Sequence, residues 1–184
     1  MSRFEPTAND YALAWLRAAV GVLFLIFAQY KVFGNQFIYG GGFTAWIHKF
    51  LQAGAYPFMR PVLVDLVLPH ARIIAFIVSY GELCIGMALV LGVFVRPASF
   101  FGAVYMGLLL LSSNYPGPHA PLWEYFGASL NHLVLGLCFA AFGMSNSARV
   151  WSLPSYLRKK YQSHEQEEEV ANEPYSYVSN TFGK

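Results

Sequence analysis

The sequence first suggests chemistry through ionisable side chains that stand inside apolar runs. Glu82 lies near the middle of an almost wholly apolar stretch, residues 72–97, and Asn131 and His132 lie inside another. A charged group at the centre of a bilayer costs about 2.5–3.5 kcal/mol on insertion scales, so such residues face other helices and mark pockets or proton paths. We therefore expect Glu82 to face the interior of a helical bundle.

A polar intramembrane pocket is predicted from the depths at which helical rise places these residues. At 1.5 Å per residue, Glu82 and His132 each lie about 13–15 Å below one membrane surface if their helices run in the same direction. Arg17 and Lys31 would lie nearer to opposite surfaces, and each would need its long stem or a water to reach Glu82. The predicted pocket, a candidate site for a quinone headgroup or for proton transfer, comprises Arg17, Gln29, Lys31, Glu82, Asn131 and His132.

A purely structural interpretation of the same residues stays open. Glu82 can be neutral or paired and serve only to fix helix packing, and His132 can be a hydrogen-bonded histidine at a helix interface. A haem held by two histidines would need a second intramembrane His. The other histidines fall in loops or in the tail: His48, His70, His119 and His164. Whether His132 binds a haem or a pigment is left open, and no catalytic residue is predicted.

No metal site and no cofactor of the chain's own are predicted. The two cysteines, Cys84 and Cys138, stand inside apolar runs, where a cysteine is usually a small buried hydrophobe. The sequence contains neither a C-x-x-C nor an H-E-x-x-H pattern. A bound quinone, lipid or pigment remains a candidate ligand.

The composition indicates an integral membrane protein. Of the 184 residues, 56% are hydrophobic and only 12% are charged, whereas about 25% of an average soluble domain is charged. Aromatic residues reach 17% and are typical of membrane interfaces. The net charge of +2 gives no support for nucleic-acid binding. Membrane lipids are the expected surroundings.

Four apolar runs predict an all-α fold, a four-transmembrane-helix bundle, since about 20 residues cross the hydrocarbon layer. Residues 1–10 form a short tail, in which Asp10 is a candidate helix cap. The membrane domain is residues 11–155, with an amphipathic interfacial segment, residues 43–69, in its first loop. The predicted spans are residues 11–33, 72–95, 98–113 and 123–143.

The distribution of Lys and Arg predicts the orientation of the bundle. With four crossings, both termini and the connection at Arg96 share one side. The opposite side carries basic residues in its first loop and none in its second. This balance favours cytoplasmic termini and an integral location in a bacterial or archaeal cytoplasmic membrane.

The polar tail, residues 156–184, contains an acidic run and cannot bury enough apolar surface to fold alone. We expect it to become ordered by docking on a partner protein, because aromatic side chains commonly anchor such interfaces. The candidate anchors are Tyr161, Tyr175, Tyr177 and Phe182.

Two short motifs carry a resemblance to a known family. The first span contains RAAVGVLF and ends in QYK, and the second contains ELCIG and ends in LGVFVRPA. Over about residues 11–152 the chain resembles the DoxX/DoxD family of four-helix membrane proteins. It departs from the family pattern after the fourth span, where GMSNSARVWSL lacks the usual proline turn. The insert at residues 43–69 and the tail also look peculiar to this chain.

The resemblance implies a setting in electron transfer. One branch of the family is the membrane subunit of a thiosulfate:quinone oxidoreductase, and other members are linked to redox homeostasis or membrane complexes. We expect a non-catalytic accessory subunit of a larger respiratory or photosynthetic complex, with larger membrane subunits as partners. The alternatives are a quinone-interacting subunit of an oxidoreductase such as thiosulfate:quinone oxidoreductase, and a small proton-coupled transporter.

Overall fold

The structure, a computed structural model, describes residues 5–127 and 130–172 and is almost entirely helical in those ranges. The described residues contain no strand, which confirms the predicted all-α fold. The first half contains α1 (Ala8–Phe33), α2 (Asn35–Ile38), α3 (Gly42–Ala53) and α4 (Met59–Pro61), the last running into a π-helical segment, Val62–Val67. The second half contains α5 (Ala71–Leu91), α6 (Val95–Ser112), α7 (Leu122–Gly127), α8 (Leu130–Met144), a 3-10 turn (Ser147–Arg149) and α9 (Leu153–Asn172).

Three of the described helices, α1, α5 and α6, are long and apolar enough to cross a membrane. The chain is therefore an integral membrane helical bundle. The fourth predicted span corresponds to α7 and α8. The 15 residues of α8 rise only about 22 Å, at 1.5 Å each, against a hydrocarbon layer of about 30 Å. A fourth crossing stays a prediction.

Close approach of α1 and α5 depends on a pair of facing glycines. A Cβ built on Gly21 would lie 3.0 Å from the carbonyl oxygen of Gly86, and one built on Gly86 would lie 3.1 Å from that of Gly21. Only glycine leaves room for the two backbones here, as small residues do at many membrane helix interfaces. This contact fixes the depth of α5 along α1, and so the level at which their polar residues meet.

A second helix pair, α6 with α8, packs beside the first. The ring of Phe139 on α8 fills the space that a side chain at Gly102 on α6 would need. Phe139 also meets Phe24 of α1 edge to face, with ring centroids 5.2 Å apart. Side chains from all four helices build the resulting core: Val20, Phe24, Ile85, Leu89, Val95, Ala98, Met106, Phe139 and Phe142.

The segment between α1 and α5 folds back as a roof over one end of the bundle. We use "the roof" for α2, α3, α4 and the π-helical segment. Its apolar face, including Phe43, Ile47 and Leu63, packs against the first turns of α5. Main-chain hydrogen bonds attach it to the end of α6, from Tyr56 N to Leu111 O at 3.2 Å and from Tyr115 N to Gly54 O at 2.7 Å.

A tyrosine cluster strengthens this attachment. Tyr56 Oη donates a hydrogen bond to the carbonyl oxygen of Tyr125 at 3.2 Å, and the ring of Tyr56 lies 4.9 Å from that of Tyr115. Partial burial raises the pKa of Tyr56, and the neighbouring Tyr125 and Tyr115 add to that shift. The contacts that attach the roof therefore favour the neutral form of the Tyr56 side chain.

Two local expectations need correction. Thr7, not Asp10, is the N-cap of α1; Asp10 is the third helical residue and accepts hydrogen bonds from Thr7 N at 2.9 Å and Oγ1 at 2.7 Å. Cys84 is exposed on the outside of the bundle rather than buried. The first part of the predicted tail, residues 156–172, belongs to α9, and its docking on a partner stays a prediction.

Candidate intramembrane ligand site

A buried ion pair joins α1 to α5 beneath the roof. Lys31, in the last turn of α1, places its Nζ 2.6 Å from both carboxylate oxygens of Glu82. The side chains are only 11% and 7% exposed, respectively. The rings of Phe37 and Tyr30 also flank the ammonium, with centroids at 5.2 and 5.8 Å. The pair brings two opposite charges into the membrane as a unit with no net charge.

Tyr105 on α6 extends the ion pair into a three-residue network. Its hydroxyl donates to Glu82 Oε1 at 2.5 Å. Tyr105 is absent from the pocket predicted from the sequence, although a buried tyrosine usually needs a hydrogen-bond partner and a buried carboxylate such as Glu82 needs a donor. The sequence does not specify the rotation of α6 about its own axis, and so does not show which face of α6 lies toward α5.

A cavity of about 510 Å³ lies between the roof and the bundle, beside this network. Lys31, Glu82 and Tyr105 form part of its wall, and most of the remainder is apolar. Aromatic rings come from both α1 and the roof: Phe24, Phe27, Tyr30, Phe37, Phe43, Trp46 and Phe50. Sites for small molecules typically combine such an apolar wall with a few convergent polar groups.

Asn131 and His132 complete the polar part of the wall from the first turn of α8. The Nδ1 atom of His132 is buried and makes no hydrogen bond to any described residue. Buried polar atoms are paired in the great majority of cases. His132 therefore lines the cavity with one ring nitrogen that has no described partner, and a ligand that reached this nitrogen would supply its hydrogen bond.

The structure does not bring Arg17 or Gln29 into this cavity. Gln29 is exposed on the outside of α1. Helical rise separates Arg17 from Lys31 by about 21 Å along α1, too far for its stem to bridge. Arg17 is fully buried at the other end of the bundle. There its Nη2 donates to the carbonyl oxygen of Trp151 at 3.0 Å, with that of Val150 at 3.4 Å.

The remaining predicted sites lie away from the cavity. Tyr161 is on α9 and is 69% exposed. Tyr175, Tyr177 and Phe182 lie outside the described residues. In residues 5–127 and 130–172, no three His, Cys, Asp or Glu side chains are grouped so that they could hold a metal ion.

Fold and site together define a class: helical integral membrane proteins with a polar centre enclosed in an aromatic cavity. The chain belongs to the DoxX family, whose sequence model matches residues 12–113. This match confirms the resemblance and covers α1 to α6, with Lys31, Glu82 and Tyr105, but stops before His132. Searches of curated proteins and of solved structures each found no match.

Proposed function

We propose that the chain binds the ring of a quinone in this cavity and acts as the quinone-binding membrane subunit of an electron-transfer assembly. The observation that carries the proposal is that an aromatic wall, a charge-compensated network and His132, whose Nδ1 has no described partner, all line one cavity of about 510 Å³. That volume is within the range of about 300–1,000 Å³ found for small-molecule sites. A cavity of this size and lining favours the quinone-interacting alternative over an accessory subunit that binds no ligand.

The chemistry of a quinone suits each part of this wall. Its flat ring packs against aromatic side chains such as Phe43 and Trp46, and its carbonyl oxygens accept hydrogen bonds. His132 can donate from Nδ1 in one of its neutral tautomers. The Lys31–Glu82 pair leaves the wall without net charge, so that a neutral ligand is not opposed by an uncompensated field.

A quinone site needs a redox partner, and we place that partner in a neighbouring subunit, in keeping with the accessory role expected from the sequence. Exposed apolar side chains recur at helical spacing along α9 and support a docking role for this helix. They are Leu153, Tyr156, Leu157 and Tyr161, between 42% and 69% exposed. Co-isolation of larger subunits in mild detergent tests this part. Unchanged association after deletion of residues 161–184 would contradict the tail as anchor.

Proton-coupled transport is the competing proposal, and the packing of the bundle argues against it. A transport path would have to continue from the cavity toward Arg17. The core side chains Leu89, Phe139 and Phe142, none of them exposed, occupy that part of the bundle. We expect no proton or solute flux in proteoliposomes; sustained flux that Glu82→Gln abolishes would favour the transporter instead.

Quinone binding can be measured on the detergent-purified full chain by tryptophan quenching. Trp46 lies in the cavity wall, whereas Trp15 is 64% exposed on the outside of α1. We expect decylubiquinone or menadione to quench the fluorescence saturably. Trp46→Phe should remove most of the saturable signal, and the matched variant Trp15→Phe should leave it in place.

The polar contacts are tested by paired substitutions. His132→Gln should weaken quinone binding about tenfold, the equivalent of one hydrogen bond of about 1.4 kcal/mol. Tyr105→Phe should weaken it less, because the hydroxyl proton of Tyr105 is already donated to Glu82. The controls are His70→Gln and Tyr80→Phe, which remove the same groups outside the cavity. Non-saturable quenching, or an equal loss in the controls, would refute a quinone site at this position.

A further inference from the structure

A second cavity lies at the end of the bundle away from the roof. Its volume is about 380 Å³, and it forms where the α5–α6 connection meets the turn that follows α8. We call it the basic cleft. Its lining residues are Gly92, Phe94, Val95, Arg96, Pro97, Ser145, Asn146, Ala148 and Arg149.

The basic cleft combines two sources of positive potential. Two arginines, Arg96 and Arg149, line it. The first turn of α6, an 18-residue helix, begins in the same wall at Val95. Pro97 has no N–H group, and the N–H of Ala98 donates to the carbonyl oxygen of Phe94 at 3.0 Å, so the first turn offers the N–H groups of Val95 and Arg96. The helix dipole adds a partial positive charge there.

No carboxylate belongs to the segments that build the cleft. The sequence has no Asp or Glu in residues 83–123 or 125–164. Of the acids at the start of α1, Asp10 is engaged by Thr7. An anion entering the cleft would therefore meet an arginine and no carboxylate in either segment of its wall.

Arg17 adds a third guanidinium behind this wall. It is fully buried, and its Nη1 lies against Gly92, where a side chain would collide with it. Its Nε and Nη1 make no hydrogen bond to any described residue. Its partners there are the main-chain oxygens of Val150 and Trp151, so its full charge is not neutralised by a described acid.

We propose that the basic cleft binds a phosphate ester, the headgroup of an anionic phospholipid. Arginine pairs and helix N-termini are both well matched to phosphate oxygens. The cleft lies at the end of a membrane-crossing helix, the level at which headgroups lie. Apolar side chains beside it are strongly exposed and suit acyl chains, Phe94 by 78% and Met144 by 87%. This site is independent of the quinone proposal.

Native mass spectrometry of the delipidated full chain tests the proposal with defined lipids. We expect dioleoylphosphatidylglycerol to occupy one site about tenfold more tightly than zwitterionic dioleoylphosphatidylcholine. Arg96→Gln should weaken phosphatidylglycerol binding about tenfold, as expected for one lost charge-assisted hydrogen bond. Arg96→Lys keeps the charge and should lose less. The matched control is Arg158→Gln, which removes an exposed cation from α9 outside the cleft.

Two results would overturn the proposal. One is equal binding of the two lipids to the unmodified chain, a comparison that does not depend on any variant folding. The other is an equal loss in Arg158→Gln and Arg96→Gln, which would indicate a diffuse basic surface. A thermal-shift series with millimolar inorganic phosphate distinguishes the two sources of the phosphate group. Stabilisation by phosphate alone, with none added by the lipid, would retain the phosphate site and reject the lipid.

Discussion

The Lys31–Glu82 pair provides the sharpest test of how this bundle is held together. Removing one partner leaves the other charged in a site that is less than a tenth exposed. Breaking a buried pair in this way costs about 3–5 kcal/mol, whereas replacing both partners with neutral groups of similar shape is often close to neutral. We therefore expect Lys31→Met and Glu82→Gln each to destabilise the protein by about 3–5 kcal/mol, and the double variant to be far less destabilised than their sum.

The groups around the ion pair determine which of the two single substitutions destabilises the protein more. After Glu82→Gln, the Lys31 ammonium keeps the rings of Phe37 and Tyr30 at 5.2 and 5.8 Å, worth up to about 2 kcal/mol when desolvated. After Lys31→Met, the Glu82 carboxylate keeps only the hydroxyl of Tyr105. Lys31→Met should therefore be the more damaging variant, and the coupling energy of the cycle should exceed about 2 kcal/mol.

The assay is reversible unfolding of the purified chain in mixed micelles, followed by circular dichroism. Lys49→Met is the matched control, because it removes an exposed roof cation that lies 4.7 Å from the ring of Trp46 and should cost less than about 1 kcal/mol. Additive effects of Lys31→Met and Glu82→Gln would refute the reasoning, since they would show that the two charges do not compensate each other.

Three further predictions concern other parts of the bundle. Gly86→Ala should destabilise the α1–α5 contact by about 1–3 kcal/mol through overpacking. Gly81→Ala has no atom within 4 Å of the new Cβ and should stabilise α5 by about 0.5–1 kcal/mol. Chemical unfolding of the two variants compares these effects. Arg17→Met should cost about 1–3 kcal/mol by leaving the buried carbonyl of Val150 and the part-buried carbonyl of Trp151 without their donor, and an unchanged unfolding midpoint would contradict this. The pKa of Tyr56 is raised in the folded protein. The stability that this shift contributes is therefore fully present below the unfolded pKa of about 10 and is lost as the pH rises through the folded pKa. The alkaline loss of stability should shrink in Tyr56→Phe.

The membrane class and the polar centre could be predicted because both depend on local composition. Runs of about 20 apolar residues define spans whatever their neighbours, and Glu82 in such a run must be compensated. Lys31 and His132 were selected by the same reasoning, and both lie in the cavity wall with Glu82. The depth estimate placed Lys31 nearer one surface, within reach of Glu82 only through its long stem or a water. In the structure the reciprocal packing of Gly21 and Gly86 fixes the registration of α1 against α5, and Lys31 contacts Glu82 directly.

The position of Arg17 shows where reasoning from residue type reaches its limit. A buried arginine and a buried glutamate look like partners in a sequence, but in the structure they contact different groups. Glu82 is met by Lys31, while Arg17 donates to the carbonyl of Trp151, a residue 134 positions away in the chain. Only the return of the chain after α8 places that carbonyl within reach.

The sequence by itself determined that this chain is a helical membrane protein with a compensated acid at its centre, because hydropathy and the cost of burying a charge are properties of short segments. The tertiary structure decided that Tyr105 joins the acid, that the first loop closes over a cavity, and that the arginines gather in a cleft at the other end. These outcomes depend on helix rotation and on contacts between distant segments, which residue spacing along one helix does not specify.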